Sequence, residues 1–323
     1  MKIGIIGAGH IAIKMAHTLQ DSPESRQAVA ARDIERAQAF ADQWGFRKAY
    51  GSYQELVEDP DVDLVYVATP HSLHFEHCML AINHGKAVLC EKAFTTNAHE
   101  AEILLRTARE KGVFIAEAIW TRYMPFSATI RQIIDSGAIG EPKMLSASLS
   151  YPISHKERLV RPELGGGALL DIGLYAINFA YMCFGRDISE VHSSAMLWPT
   201  GMDMQESIAL HYSDGRMANL WSSALSACNR EGIICGSKGY LVVENINNPM
   251  SATLYNENHE PQQTFQAPPQ ITGFEYELAA CEEALKNGWL ETPYMPHSEI
   301  LAVMELMDSL RKEWGVVFPN DNY

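Results

Sequence analysis

Residues 3–12, Ile-Gly-Ile-Ile-Gly-Ala-Gly-His-Ile-Ala, give the strongest indication of the fold, because a short apolar run leads directly into a glycine-rich turn. Such a turn between a strand and a helix is typical of a dinucleotide site, where Gly7 allows the tight bend and Gly9 lets the backbone approach a pyrophosphate. Ala12 is small enough for the helix to pack on the strand, and the first N–H groups of the helix face the phosphates. The alternative is a turn that serves packing alone.

The end of the second predicted strand, over 28–31, indicates which cofactor is bound. An NAD site usually carries an acidic residue about 20 residues after the glycines, where it binds the ribose 2′-hydroxyl. This chain has Arg32 there, followed by Asp33. Because an arginine can pair with a 2′-phosphate, NADP is favoured. In the alternative, which keeps NAD possible, Asp33 binds the ribose and Arg32 is a surface charge.

Hydrophobic periodicity divides the chain into two parts. Up to about residue 118, short β-branched runs alternate with helical patterns, which predicts a doubly wound parallel sheet. Beyond that point, a strand over 144–150, a helix over 169–184 and alternating runs between 191 and 243 predict an open, mostly antiparallel sheet with helices on one side. The remaining predicted elements are an edge hairpin or loop over 245–270 and helices over 274–287 and 298–314. The predicted fold class is α/β.

Composition narrows the classes of protein that the chain can belong to. Its 323 residues favour two domains, and 25 basic against 40 acidic residues give a net charge of −15, which argues against a nucleic-acid partner. No apolar run of the roughly 18 residues that a membrane span needs is recognised in the sequence. The six cysteines form no C-x-x-C pair and are interpreted as reduced thiols. A cytoplasmic protein without a membrane partner is expected.

Three residues are candidates for proton chemistry. Lys92 follows a predicted strand over 87–90, at the edge where ligands of parallel sheets bind. Asp171 and Tyr175 are four residues apart and share one helix face. A tyrosine beside a lysine can act as a general acid or base, because the ammonium favours the phenolate. The alternatives are a solvated lysine, an aspartate that pairs locally and a packed tyrosine.

Three histidines, His71, His74 and His77, follow Thr69-Pro70 and raise the question of a metal site. The spacing H-x-x-H-x-x-H does not bring all three to one helix face, and no nearby cysteine pair completes a tetrahedral set. No metal is therefore predicted. His74 is expected either to line the nicotinamide pocket or to cap its helix locally.

Two further groups of side chains, each with at least one arginine, could contact the substrate. Trp120 and Arg122 lie at the predicted domain junction, where they suit a cleft that holds a polyol or an aromatic diol, although junction aromatics also pack routinely. Arg158 and Arg161 lie in a polar loop, where they either cover that cleft or are ordinary loop charges.

Several stretches together resemble the glucose–fructose oxidoreductase/inositol dehydrogenase (Gfo/Idh/MocA) family over nearly the whole chain. Within it, the chain is most similar to the dihydrodiol dehydrogenase subgroup, also described as NADP-dependent D-xylose dehydrogenases. By this resemblance Lys92 is the lysine of the family's Glu-Lys-Pro motif, Tyr175 is the general acid/base and Asp171 orients the site. Ala93 stands where the motif has Pro. The matching stretches are 30–33, 48–53, 86–92, 117–122, 167–175 and 295–299.

The resemblance implies a Rossmann domain over 1–119, a substrate-binding and oligomerisation domain over 120–295, and a last helix, 296–323, that returns to the first domain. The open sheet of the second domain is expected to form the interface of a homodimer or tetramer. Predicted cofactor contacts are Gly7, Gly9, His10, Ile11, Ala12, Arg32, Thr69, Pro70, His71, His74, Glu91, Lys92, Trp120 and Arg122. Predicted substrate contacts are Lys92, Trp120, Arg122, Arg158, Asp171 and Tyr175.

The expected activity is hydride transfer between NADP and a secondary carbinol or carbonyl of a sugar, a cyclic polyol or a trans-dihydrodiol. The alternatives within the family are inositol, anhydro-sugar or nucleotide-sugar dehydrogenases. A different class of protein, which binds NADP for regulation without turnover, is the remaining alternative.

Overall fold

The structure is a computed structural model that describes residues 1–321, so the final two residues of the predicted 296–323 segment lie outside it. The strands are β1 (Ile3–Ile6), β2 (Arg26–Ala30), β3 (Lys48–Tyr50), β4 (Leu64–Val67), β5 (Ala87–Glu91), β6 (Ile115–Ala118), β7 (Pro142–Ser150), β8 (Ile188–Leu197), β9 (Asp203–Tyr212), β10 (Met217–Ser223), β11 (Gly232–Gly236), β12 (Gly239–Glu244), β13 (Ser251–Asn256) and β14 (Pro261–Gln266). The α-helices are α1 (His10–Thr18), α2 (Ile34–Trp44), α3 (Tyr53–Glu58), α4 (His74–Asn83), α5 (Ala98–Lys111), α6 (Pro125–Asp135), α7 (Glu157–Val160), α8 (Leu174–Phe184), α9 (Glu275–Asn287) and α10 (His297–Trp314).

One compact unit contains Met1–Tyr123 and Gln270–Met304. Its six strands pair in parallel in the order β3-β2-β1-β4-β5-β6, which is the doubly wound order of a Rossmann fold. The order reverses between β1 and β4, and ligands of such sheets bind at the carboxyl ends of the strands at this switch point. The parallel-sheet prediction is confirmed. The short elements β3 and α3 are absent from the sequence prediction, because three or six residues carry too little periodicity.

Local sequence signals determine where the helices of this unit begin and end. Asp33 caps α2, and its Oδ1 accepts the Glu35 N–H at 2.9 Å. Asn97 caps α5 in the same way. Both helices end at a glycine in the left-handed conformation, Gly45 and Gly112, which removes the Cβ penalty of that conformation.

The other compact unit contains Met124–Pro269 and the chain from Glu305 onward. Its eight-stranded sheet has the order β14-β13-β12-β11-β7-β10-β9-β8, and only the β7–β10 pair is parallel within the described chain. This agrees with the predicted open, mostly antiparallel sheet. The predicted edge hairpin is β13–β14, which begins at Ser251 and ends at Gln266. Helix α8 packs on β7 and β10.

The division into units differs from the predicted domain boundaries in two places. Residues 270–295 were assigned by the sequence to the second domain, and they cluster with Met1–Tyr123 instead. The last helix, α10, is divided: its part up to Met304 clusters with the first unit, and from Glu305 onward it clusters with the second. The predicted return of this helix therefore applies to its first turns only, because its later turns carry Trp314, whose indole N–H donates to Ser193 Oγ in β8 at 2.9 Å.

One helical stretch among residues 1–321, Pro162–Phe184, is long and apolar enough by composition to cross a membrane. The sequence analysis recognised no such run, so this is a correction. Of its most apolar window, 94% is buried inside the structure, as in the core helix of a folded domain. Length and composition alone are therefore weak evidence for a span.

Candidate functional site

The glycine-rich turn between β1 and α1 has one crowded glycine and one open one. Gly7 has φ +102°, and a Cβ there would lie 2.9 Å from the Ala68 carbonyl oxygen. Gly9 precedes α1, and a Cβ there would have no neighbour within 4 Å. No side-chain hydrogen bond caps this helix, which leaves its first N–H groups available to a ligand. Ala12 is fully buried against the sheet. This cradle fits the pyrophosphate of a dinucleotide.

His10 and Ile11 form the first turn of α1, beside these free N–H groups. His10 is exposed and Ile11 is half-buried. Both positions are compatible with the predicted contacts to a bound dinucleotide.

The two candidates for the ribose end of the cofactor have different surroundings. Asp33 uses Oδ1 to cap α2, whereas Arg32 is exposed at the end of β2. Arg36 lies one turn further, and its guanidinium donates to the Ala8 carbonyl oxygen in the glycine-rich turn at 3.0 Å. Because the aspartate has a structural role and the arginine does not, this end of the site favours a 2′-phosphate.

Tyr53 and His77 lie near these arginines, and the sequence reasoning missed both Tyr53 and Arg36. The two rings meet edge to face with centroids 4.5 Å apart. Burial, together with the charge of the nearby Arg32, lowers the pKa of His77 to about 4. The spacing of Arg32 and Arg36, four residues apart at a helix start, was the one available signal.

His74 connects the ends of β4 and β5. It is fully buried, with Nε2 2.8 Å from the Thr69 carbonyl oxygen and Nδ1 2.8 Å from the Ala93 carbonyl oxygen. Burial lowers its pKa to about 4, so the ring is neutral and donates to one of these carbonyls. Of the two sequence expectations, the local structural role describes these contacts. The peptide bond between Lys92 and Ala93 is cis.

The cofactor candidates Thr69, Pro70 and His71 lie between the end of β4 and the start of α4, at the carboxyl edge of the parallel sheet. Thr69 Oγ1 lies 3.0 Å from His77 Nδ1, and the His71 ring lies edge-on to His74 with centroids 5.7 Å apart. No group of three or more histidine, cysteine, aspartate or glutamate side chains within residues 1–321 is arranged to hold a metal ion.

Lys92 stands among buried carboxyl groups. Glu91 is buried, accepts a hydrogen bond from the Tyr66 hydroxyl and accepts the Lys92 N–H at 3.3 Å. Burial raises the pKa of Glu91. Glu117 is also buried, and burial raises its pKa to about 8 although the Phe94 N–H donates to it at 3.1 Å. Lys92 itself is half-buried and lies close enough to stabilise the ionised form of both acids.

Trp120 packs against a lysine and a phenylalanine from distant parts of the sequence. The Lys14 ammonium lies 4.1 Å from the centroid of the Trp120 ring and 4.2 Å from that of Phe274, which is a cation–π contact on both rings. Burial lowers the pKa of Lys14, while Glu91 and Glu277 oppose that change. Lys14 and Phe274 gave no local sequence signal, because only the fold brings them together.

Arg122 has structural partners in the first unit. Its guanidinium donates to Glu299 at 3.3 Å and to the Tyr294 carbonyl oxygen at 3.3 Å, and only 11% of its side chain is exposed. The predicted ligand contact at Arg122 therefore competes with an ion pair that is already formed.

In the second unit, Asp171 and Tyr175 lie where a π-helical turn, Leu169–Gly173, leads into α8. Asp171 is buried and pairs with the Arg158 guanidinium at 2.5 Å, which brings two predicted substrate contacts together. Tyr175 is also buried. Arg161 pairs with neighbouring glutamates of its own loop, so it is one of the loop charges that the sequence allowed. Single-turn π segments occur often at functional sites.

Comparison with known proteins identifies the family. Residues 1–118 match the model of the GFO_IDH_MocA oxidoreductase family with its NAD-binding Rossmann fold, and residues 127–242 match the GFO/IDH/MocA C-terminal domain. The chain belongs to the Gfo/Idh/MocA family. Trans-1,2-dihydrobenzene-1,2-diol dehydrogenase from Mus musculus is 34% identical, with 99% of both chains covered. The Xenopus tropicalis protein of the same name is 35% identical, with 98% of this chain and 99% of that protein covered.

Two solved structures show the same architecture. KijD10, a 3-ketoreductase from Actinomadura kijaniata in complex with NADP and TDP-benzene, is 28% identical with a TM-score of 0.88, and 97% of each chain is covered. Levoglucosan dehydrogenase in complex with NADH and levoglucosan has a TM-score of 0.85 over 98% of this chain and 97% of that chain. At 20% identity this second likeness shows the fold alone. Family membership makes this chain an NAD(P)-binding oxidoreductase, as the sequence predicted.

Proposed function

We propose that this protein moves a hydride between NADP and a secondary carbinol or carbonyl of a trans-dihydrodiol, a cyclic polyol or a sugar. The observation that carries the proposal is the identity of 34–35% to trans-1,2-dihydrobenzene-1,2-diol dehydrogenases over essentially the full length of both chains. Substrates of this class need one hydride acceptor and one proton acceptor, and no metal.

The choice of NADP is supported by the residues at the ribose end of the glycine-rich turn. Asp33 is occupied as a helix cap, while Arg32 and Arg36 supply two guanidinium groups near the same edge. The open space at Gly9 would receive the pyrophosphate. When bound, the nicotinamide supplies the hydride acceptor or donor. NAD binding stays compatible with the turn itself, because the glycines contact only the shared part of the two cofactors.

For the proton, we propose that the phenolate form of Tyr175, which the Lys92 ammonium favours, accepts it from the substrate carbinol and becomes the neutral hydroxyl. Asp171, which forms an ion pair with Arg158, orients the site around Tyr175. KijD10 offers a parallel, because variants in which one lysine or one tyrosine is replaced have been solved with NADP and TDP-benzene. The two residue types are those proposed to act here.

A spectrophotometric screen at 340 nm tests the proposal. NADP and NAD are each combined with a cyclic trans-diol, D-xylose, D-glucose and myo-inositol, and Lys92→Ala provides the blank. We expect reduction of NADP by at least one of these alcohols and loss of that reduction in Lys92→Ala. A protein that binds NADP, as judged by quenching of tryptophan fluorescence, but oxidises none of them would favour the regulatory alternative.

A second candidate is the reduction of a nucleotide-linked keto sugar. The observation that favours it is the TM-score of 0.88 to a 3-ketoreductase whose structure contains TDP-benzene. Binding of thymidine diphosphate discriminates the two candidates. If that nucleotide quenches tryptophan fluorescence at micromolar concentration, the keto sugar is favoured. If it causes no quenching, a free diol or sugar is favoured.

We further propose that two copies associate through the open face of the second sheet. On β8 to β10 this face carries Glu190 as its one carboxylate, although the chain has a net charge of −15, and it exposes 42% of Met196 and 39% of Trp221. Exposed apolar side chains on a face with few charges are typical of an interface. Light scattering after gel filtration should give twice the monomer mass, and Trp221→Glu should reduce it to the monomer mass. A wild-type monomer would contradict the proposal, and four copies would extend it to a tetramer.

A cytoplasmic location also stays a proposal. The six cysteines are all free thiols, which is the state that a reducing compartment maintains. Fractionation of the producing cell, with the activity assayed in each fraction, tests it.

A further inference from the structure

The segment that carries Asp171 and Tyr175 is bounded by two buried acids from a neighbouring strand. We call residues Gly167–Gly173 the helix-entry turn, because they lead from the loop into α8. Asp203 and Glu206, both in β9, lie at its two ends and are buried. Neither acid was singled out by the sequence, and neither belongs to the reacting groups of the proposed function.

Asp203 holds the beginning of the turn. Its Oδ2 accepts the Leu169 N–H at 2.6 Å, which satisfies one of the free donors at the start of the helical segment. Gly167 has φ +101°, and a Cβ there would lie 2.3 Å from Asp203 Oδ1. The absence of a side chain at Gly167 therefore makes the room that the carboxylate occupies.

Glu206 lies against the end of the turn, where it acts by close packing. The Ser222 hydroxyl donates to its Oε1, and a Cβ at Gly173 would lie 2.4 Å from that oxygen. Gly173 has φ −62° and ψ −35°, an ordinary right-handed helical conformation that any residue adopts. Backbone freedom thus gives no reason for glycine at 173. The reason is the close approach of the Glu206 carboxylate.

Keeping two mutually repelling acids buried costs stability. Burial raises the pKa of Asp203 to about 6, and burial together with Asp203 raises the pKa of Glu206 well above its usual range. Asp203 Oδ1 and Glu206 Oε2 have no hydrogen-bond partner among residues 1–321. A buried, partly unsatisfied pair is destabilising compared with apolar residues of the same shape, so stability alone does not explain it.

We propose that Asp203 and Glu206 are positioning residues, which clamp the two ends of the helix-entry turn and so fix Asp171 and Tyr175 for proton transfer. The inference rests on the proposed function of Tyr175. It goes beyond that function because it assigns the geometry of the pair to a strand that contacts no reacting atom. A displacement of about 1 Å at a catalytic group can cost about 10²-fold in rate, so a clamp of this kind has a measurable effect.

A compensating pair of substitutions tests the clamp at Glu206. Gly173→Ala introduces the Cβ that collides with the carboxylate, and Glu206→Ala removes the carboxylate. We expect Gly173→Ala to lower kcat by about 10²-fold, with little change in the Kd for NADP, which binds to the other unit. The double variant should regain at least about tenfold, because the new methyl group then occupies the vacated space. Glu244→Ala, an exposed glutamate of β12, is the matched second substitution and should restore nothing.

A second pair of variants tests the clamp at Asp203. Asp203→Asn keeps an oxygen that can accept the Leu169 N–H, and Asp203→Ala removes it. We expect Asp203→Asn to keep kcat within about tenfold of wild type and Asp203→Ala to lose about 10²-fold. Equal losses in both variants would overturn the acceptor role.

Hydrogen exchange of the peptide that covers the helix-entry turn supplies a readout that needs no substrate. Faster exchange in Gly173→Ala, reversed in the double variant, supports the clamp even if the wild-type protein oxidises no alcohol, which would refute the proposed function alone. Wild-type kcat and wild-type exchange in Gly173→Ala, or a double variant no better than the single one, would overturn the inference.

Discussion

Each compact unit contains one glycine-dependent turn that carries candidate site residues, and the glycines of the two turns serve opposite purposes. In the turn after β1, a Cβ at Gly9 would meet no atom within 4 Å, so glycine leaves space for the pyrophosphate of a dinucleotide. In the helix-entry turn, a Cβ at Gly167 or Gly173 would meet a buried carboxylate at 2.3 or 2.4 Å, so glycine leaves space for the protein's own side chains. The first turn is thus built for binding, and the second is built for rigidity.

The comparison also explains what the sequence could predict. The first turn has a spacing that follows directly from cofactor geometry, and its glycines, strand and helix are contiguous in the chain, so the prediction required only local residues. The second turn depends on Asp203 and Glu206, which come from a strand about 30 residues further along. Nothing in the local pattern around Gly173 indicates a carboxylate there. The sequence therefore predicted the candidate residues of the second turn without the contacts that hold them.

The same reasoning applies to the fold. Long periodic segments such as α8 and α10 were predicted within a few residues, because their apolar spacing is strong. Short elements such as β3 and α3 were missed, and residues 270–295 were assigned to the wrong compact unit. Those positions are decided by contacts such as Phe274 on Trp120, with ring centroids 5.3 Å apart, which have no local signature.

The largest expected effect concerns the first turn of α8, which directly follows the helix-entry turn. Tyr175→Phe should lower kcat by roughly 10²–10⁴-fold, because it removes the hydroxyl that exchanges the proton. The Kd for NADP should stay unchanged. Steady-state rates at 340 nm measure the effect, and Tyr240→Phe, in the edge region of the second sheet, is the control. A Tyr175→Phe enzyme with nearly the wild-type rate would remove this residue from the mechanism.

Arg32→Ala examines the ribose end of the first turn. We expect the Kd for NADP to rise by roughly 10–100-fold, because one charge-assisted hydrogen bond contributes about 1.5–3 kcal/mol. The Kd for NAD should change little. Fluorescence titrations with both cofactors measure the difference, and Arg106→Ala, an exposed arginine of α5, is the matched control. Equal losses for the two cofactors would refute the 2′-phosphate assignment.

The two glycines of the first turn should separate binding from stability. Gly9→Ala should raise the Kd for NADP by about tenfold, because the new Cβ occupies space that the bound cofactor needs. It should change the free energy of unfolding by less than about 0.5 kcal/mol, because that Cβ contacts no protein atom within 4 Å. Gly7→Ala should lower the free energy of unfolding by about 1–3 kcal/mol, because φ is +102° and the Ala68 oxygen is close. Urea unfolding and cofactor titration measure both. Similar profiles for the two variants would mean that the turn is not open at Gly9.

The last prediction concerns the dependence of stability on pH, which is expected to change gradually over a broad pH range. Because the pKa of His74 is lowered to about 4 in the folded state, the unfolded chain binds more protons between about pH 6.5 and pH 4. The free energy of unfolding should therefore fall as the pH falls through that window, by up to about 3 kcal/mol from this residue. His74→Asn should flatten the slope measured by urea unfolding, whereas the exposed His99→Asn should leave it unchanged. Parallel slopes in all three proteins would show that His74 does not titrate there.

The proposed reaction transfers a hydride from a carbinol carbon to NADP, with Tyr175 as the proton acceptor and Lys92 favouring its phenolate form. Mass spectrometry of the cofactor after reaction with a cyclic trans-diol, a xylose and an inositol that are each deuterated at the carbinol carbons tests it most directly. We predict NADPH that is heavier by one deuterium from at least one of the three alcohols, and no labelled NADPH from Lys92→Ala. Unlabelled cofactor from all three, in a protein that binds NADP, would contradict the claim.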